Sequence, residues 1–223
     1  MAETEFSAAA AGGGLAAALR TQGIKRSFPR GHALFTEGDL GERVFLIESG
    51  WVTLRSAGPD GEEMILALRG PGEVVGEMSA FDGAPRTATA LAVDQVEAVV
   101  APARSVAAAL EKDVAAANDF ARILVARLRE SDRQRVEFTV LDTLARVARR
   151  LIDLADRFGQ PTAEGVKVEL PLSQEELASW CGASREATVK ALRTLREVGG
   201  ITTGRRMVTL HDREALERHA RMG

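Results

Sequence analysis

Three features of the sequence predict an α+β protein. Between Ile24 and Val100, short apolar runs are punctuated by glycine turns, the pattern of a β-sandwich or β-roll. From Arg104 to about Glu137 neither glycine nor proline occurs, so one long helix is expected there. From Pro171 to Leu210 two helix starts with polar caps lead into a hairpin. The 223 residues, 45% of them hydrophobic, suffice for two ordinary cores. The expected organisation is a β domain with its tail over 1–103, a helix over 104–138 and a helical domain over 139–223.

Composition narrows the function classes. No run of about 18 apolar residues occurs, and the Ala8–Gly14 stretch has no cationic leader, so a cytoplasmic protein without membrane span or signal peptide is expected. Cys181 is the single cysteine, and His32, His211 and His219 lack metal-ligand spacing, so no metal and no cofactor is expected. The net charge is −3, divided as −5 over 1–138 and +2 over 139–223. Within 185–206, Arg185, Lys190, Arg193, Arg196, Arg205 and Arg206 face only Glu186 and Glu197, a local basic surface on an acidic chain.

In chain order, residues 1–23 read as a tail and a short helix around Leu15–Arg20. Strand-type runs follow at 34–39, 44–54, 64–77 and 87–100, with turns at Glu37-Gly38-Asp39, Ser49-Gly50 and 59–63. In the long helix Leu124, Leu128, Ser131, Arg135 and Phe138 recur at four- and three-residue spacing, the seam of a two-stranded coiled coil, so a homodimer through 104–138 is expected. The polar Ser131 and Arg135 set register or meet solvent, or else Ser131 and Asp132 face a ligand beside the seam. A second helix, with Leu144, Val147, Leu151 and Leu154 on its apolar face, ends near Gly159, and 160–167 reads as a polar turn.

Residues 76–88, GEMSAFDGAPRTA, carry the sharpest chemistry. A helical turn at Met78, Ser79, Ala80 and Phe81 leaves its first amides open to an anion, and Gly76 lets that backbone approach closely. Arg86, held by Pro85, offers a planar fork for two phosphate oxygens, and Glu77 can accept from a ribose hydroxyl. Gly-Glu, eight residues ending in proline, then Arg86-Thr87-Ala88 resembles the phosphate-binding cassette of cyclic-nucleotide-binding domains. That resemblance implies an eight-stranded β-roll, and adds Arg127 at the phosphate and Ser131 and Asp132 at the base, one of them from a partner subunit.

Ser173 with Glu176 forms a capping box, and Ser184 caps a second helix. Its periodicity turns Ala187, Thr188, Ala191, Leu192 and Leu195 inward and Arg185, Glu186, Val189, Lys190 and Arg193 outward. The hairpin beyond carries Arg205 and Arg206 at its tip. The LSQEELASWCGASRE order followed by a basic hairpin resembles the winged helix-turn-helix of the CRP-FNR family, which reads DNA with the start of its second helix and holds phosphate with flanking groups. The resemblance implies a two-fold symmetric double-stranded DNA site with half-sites similar to TGTGA, and contact with RNA polymerase.

These readings combine into a non-enzymatic, homodimeric transcription regulator under allosteric control by a cyclic nucleotide. Thr87 and Asp132 suit guanine, whereas the family favours adenine, so cyclic AMP stands slightly ahead of cyclic GMP. A ligand-independent regulator of the same fold, or one answering to another ligand such as a cyclic dinucleotide, is the alternative. A hydrolase using Glu77 and Asp82 as an acid–base pair is opposed by the intact Pro-Arg-Thr-Ala run, which suits holding a phosphate.

Overall fold

The structure is a computed structural model that describes residues 13–58, 61, 63–169 and 172–221. The start of the Ala8–Gly14 stretch, most of the 59–63 turn and Pro171 lie outside the described residues. The chain divides into two compact units, Met1–Arg129 and Glu130–Gly223.

In the first unit, α1 (Gly13–Gln22) buries Leu15, Ala16 and Leu19 on one stripe. Its Gly14 and Leu15 amides donate to Asp119 Oδ2 at 3.1 and 3.3 Å. The roll follows: β1 (Ile24–Phe28), β2 (Ala33–Phe35), β3 (Arg43–Ser49), β4 (Val52–Ala57), β5 (Glu63–Arg69), β6 (Val74–Val75), α2 (Glu77–Asp82), β7 (Thr89–Ala92) and β8 (Val96–Pro102). It forms two antiparallel four-stranded sheets, β1-β8-β3-β6 and β2-β7-β4-β5. Strand β3 explains the unbroken apolar run at its centre. Phe45 and Ile47 point between the sheets with Val52, Ala90 and Val100, whereas Val44 and Leu46 point outward onto α1 and the helices after the roll. Both faces are covered, so apolar residues fill both alternating sets.

After β8 come α3 (Ala103–Lys112) and α4 (Val114–Val140), so the single helix expected over 104–138 is two. Asp113 separates them with φ −123° and ψ 106°. Its Oδ1 accepts from the Ala115 and Ala116 amides at 2.8 and 3.4 Å. An aspartate that caps the following turn competes locally with helix continuation. On α4, Phe120 and Ile123 join the outer core of the roll, with Leu124 packed against it.

In the second unit Asp142 caps α5 (Thr143–Phe158), accepting from the Ala145 amide at 2.8 Å. The stretch read as a polar turn at 160–167 is a hairpin instead, β9 (Gln160–Thr162) with β10 (Gly165–Glu169). Then follow α6 (Gln174–Trp180), α7 (Arg185–Glu197), β11 (Ile201–Gly204), β12 (Met207–Leu210) and α8 (Arg213–Arg221). The sheet order is β11-β12-β10-β9. Lys167 pairs with Thr209 and Val168 with Val208, so β10 forms because β12 offers it a ladder and a place to bury Val168. Helix α8 packs on α5.

The Ser49-Gly50 turn joins β3 to β4 with Gly50 at φ +81°, and a Cβ built there falls 2.2 Å from the carbonyl oxygen of Gln95. Gly50→Ala therefore combines backbone strain with a clash against main chain, and is expected to cost about 1–3 kcal/mol or more, read as a lowered urea midpoint.

Candidate functional site

The cassette begins where β6 ends. Gly76 caps α2 at φ 79° and ψ 14°, with no side chain capping the helix start. A Cβ on Gly76 would lie 2.7 Å from Arg86 Nη1, so the glycine is needed for close approach as well as for its positive φ. Arg86 is 4% exposed. Its Nη1 donates to Gly76 O and its Nη2 to Arg43 O, both at 2.6 Å, and its Cζ sits 4.3 Å above the Phe35 ring. Main-chain bonds from Gly38 N to Arg86 O and from Arg86 N to Asp39 O clamp its backbone to the 37–39 turn. Burial lowers the guanidinium pKa, opposed by the nearby Glu77 and Asp39 charges. The fork expected to face an anion is instead turned onto two carbonyls.

Glu77 is buried, with Oε1 3.6 Å from Arg127 Nε. The Ser79 hydroxyl donates to Pro85 O at 3.3 Å, Ala88 is buried, and Met78 and Thr87 are exposed. Arg127 enters the same cluster from α4 and donates through Nη2 to Val74 O at 2.9 Å. Sequence reasoning missed Glu73, whose buried carboxylate also meets Arg127. Nothing local marks Glu73, since its partner lies 54 positions away. The apolar crevice beneath α2, lined by Val74, Glu77, Phe81 and Phe120, encloses about 10 Å³, room for one water. An open groove of about 640 Å³, flanked by Arg26, Arg43 and Arg104, shares none of the cassette residues.

Of the five positions read as a seam, Leu124 packs on the roll core and Phe138 lies against Gly182. Leu128, Ser131 and Arg135 are exposed, as are Asp132, Val125 and Val136.

In the second unit the capping box is present: Ser173 Oγ accepts from the Glu176 amide at 3.1 Å, and Glu176 Oε2 accepts from the Ser173 amide at 2.8 Å. Ser184 Oγ accepts from the Ala187 amide at 3.2 Å and starts α7. Thr188, Ala191, Leu192 and Leu195 are buried, while Arg185, Glu186, Val189, Lys190 and Arg193 are exposed. Arg193 Nε donates to Glu197 at 2.8 Å. Hydrogen bonds from its own amide and from Ser184 lower the Glu186 pKa, so it stands ready as an acceptor. Arg196 Nη1 donates to Thr203 Oγ1 at 3.0 Å and ties α7 to the hairpin, whose tip holds Arg205 and Arg206, the latter at φ 56°.

Two family models match these two parts: the cyclic nucleotide-binding domain over residues 25–113, and the Crp-like helix-turn-helix domain over 145–219. A CRP-like cAMP-activated global transcriptional regulator of Mycobacterium tuberculosis is 37% identical over 205 residues, 92% of each chain. The chain belongs to the CRP-FNR family. Another CRP-FNR relative, the cyclic AMP receptor protein of Thermus thermophilus, is 33% identical over 193 residues, 86% of each chain. The solved structure of FixK2 from Bradyrhizobium japonicum superposes with a TM-score of 0.82 at 22% identity, covering 90% of this chain and 98% of that one, which shows the fold. The α+β architecture is therefore that of a CRP-like regulator, with a cyclic nucleotide-binding β-roll, a long helix and a C-terminal helix-turn-helix. No helix among the described residues is long and apolar enough to cross a membrane.

Within the CRP-FNR helix-turn-helix, the turn between α6 and α7 is held from behind. Arg146 Nε donates to Cys181 O at 2.8 Å, its Nη1 to Leu141 O at 2.6 Å and its Nη2 to Gly182 O at 3.2 Å. Cys181 itself is fully buried, and burial pushes its thiol up to about 12. A thiol so protonated and enclosed is inert. The native protein is expected to resist a disulfide reagent such as DTNB at about pH 8, and to titrate one thiol once denaturant opens the fold.

Proposed function

We propose that this chain is a homodimeric transcription regulator in which a cyclic nucleotide at the 76–88 cassette biases the arrangement of two DNA-binding domains. The observation that carries this reading is the cassette itself: an uncapped helix start at Gly76, a buried arginine at position 86, and Glu77 linked to Arg127 of α4. A phosphate entering there meets two guanidiniums and takes over donors now given to main-chain carbonyls. Gly76, Glu77, Met78, Ser79, Arg86, Thr87, Ala88 and Arg127 form this pocket, and Ser131 and Asp132 meet the base, one of them from the partner subunit.

The exposed apolar side chains Val125, Leu128 and Val136, with Leu128 63% exposed, support burial against a second copy of α4. Moving a two-state equilibrium from 1:99 to 99:1 takes about 5.5 kcal/mol of differential binding, which a ligand shared between roll and helices can help supply. The dimer works in the cytoplasm, contacts RNA polymerase and is not an enzyme.

The name of the 37% relative supports cyclic AMP as the ligand, and Asp132 keeps cyclic GMP as the competitor. A ligand-independent regulator is the second reading, favoured by the way Gly76 O and Arg43 O already satisfy the Arg86 fork. Calorimetric titration separates them. Cyclic AMP should bind the parent, Arg86→Ala should abolish the heat while melting cooperatively, and Asp132→Ser should lower the affinity for cyclic GMP relative to cyclic AMP. No heat from either nucleotide favours the ligand-free reading.

For DNA, Ser173, Ser184, Arg205 and Arg206 approach phosphates, Arg185 reads a guanine edge and Glu186 a cytosine amino group, with Val189, Lys190 and Arg193 alongside. Arg185→Ala should cost about 1–3 kcal/mol on the two-fold site and relax one base position, whereas Arg205→Ala should weaken all sequences alike and reduce the salt slope by about 1. Gel-shift titrations on specific and random duplexes measure both. Equal losses on both duplexes for Arg185→Ala would remove the readout assignment.

A further inference from the structure

Glu73 occupies the turn between β5 and β6 and is 3% exposed. Its Oε2 accepts from the Gly70 amide at 2.8 Å, and its Oε1 lies 3.9 Å from Arg69 Nε and 3.5 Å from Arg127 Nη1. Arg127 meets Glu77 Oε1 with its Nε at 3.6 Å and gives Nη2 to Val74 O. One guanidinium from α4 is therefore shared between two carboxylates of the roll, in a place where water screens weakly.

We propose that Glu73 is a positioning residue that competes with an anionic ligand for Arg127, holding α4 to the roll and setting the affinity of the cassette for nucleotide phosphate. This inference rests on the nucleotide reading above. The two carboxylates differ in a way that assigns the roles. Glu77 belongs to the cassette, opening α2 beside Gly76 and Arg86, so a ligand approaches it directly. Glu73 sits behind, fixed from two other directions by the Gly70 amide and the buried Arg69. An arriving phosphate can reorganise Glu77, but Glu73 stays and keeps drawing Arg127 toward the β5–β6 turn.

The sign of the effect separates this from a packing role. A carboxylate that serves only the fold would, once neutralised, weaken binding of charged and uncharged ligands together. Neutralising a competitor favours the charged ligand alone. The test is a competition titration of the full-length protein with cyclic AMP and with uncharged adenosine, comparing the parent with Glu73→Gln, Arg127→Gln and the double variant. Glu73→Gln should bind cyclic AMP about tenfold more tightly with adenosine unchanged, and the gain should vanish in the Arg127→Gln background. Unchanged or weaker cyclic AMP binding by a Glu73→Gln protein that still melts cooperatively overturns the proposal. Should Glu73→Gln fail to fold, Glu73→Asp, which withdraws the charge from Arg127 without removing it, is read by the same criterion. A parent that binds neither cyclic AMP nor cyclic GMP sinks the nucleotide reading first, and this inference with it.

Discussion

The pairing of Arg127 with Glu73 and Glu77 ties three elements together: the turn after β5, the first residue of α2, and the long helix α4. These groups are largely shielded from water, and each charge has more than one partner, so the cluster holds as a network and not as a single pair. The chain of charge continues on both sides. Arg69 lies beyond Glu73, and the Glu77 charge supports Arg86 against the desolvation that lowers its pKa. The cassette is thereby wired to α4 through side chains alternating in sign.

The second unit grips its own stretch of α4 with the same device. Glu137, 2% exposed, meets Arg150 Nη1 at 3.0 Å and Arg149 Nη1 at 3.2 Å from α5. Arg150 also lies 5.4 Å from the centre of the Trp180 ring on α6, so a buried cation links the end of α4 to the first helix of the helix-turn-helix. Asp153 completes the cluster, its carboxyl pKa raised by burial although Arg133 and Arg150 oppose the shift. Phe138 against Gly182 adds an apolar contact at the same place. The last turns of α4 belong structurally to the DNA-binding unit.

Two rearrangements of the expected outline follow from main-chain hydrogen bonding, one local and one long-range. Asp113 ends α3 by capping α4, a role that a search for glycine and proline does not detect. The β9–β10 hairpin is composed of unremarkable residues and becomes a sheet edge because β12 presents unpaired main-chain groups to it.

What the sequence determined by itself was encoded within about ten residues. The strand periods of the roll, the capping box at Ser173 and Glu176, the buried and exposed faces of α7, and the Gly76 to Ala88 cassette all arise from local spacing and backbone preference. The tertiary structure alone decided which charges meet. Glu73 finds Arg127 and Glu137 finds Arg150 only when strands, turns and helices are assembled, because burial and pairing of charge are properties of the packed chain and leave no periodic mark along it. The direction of Arg86, turned onto the carbonyls of Gly76 and Arg43, was settled the same way. A residue type names the interactions a group can make, and its surroundings choose among them.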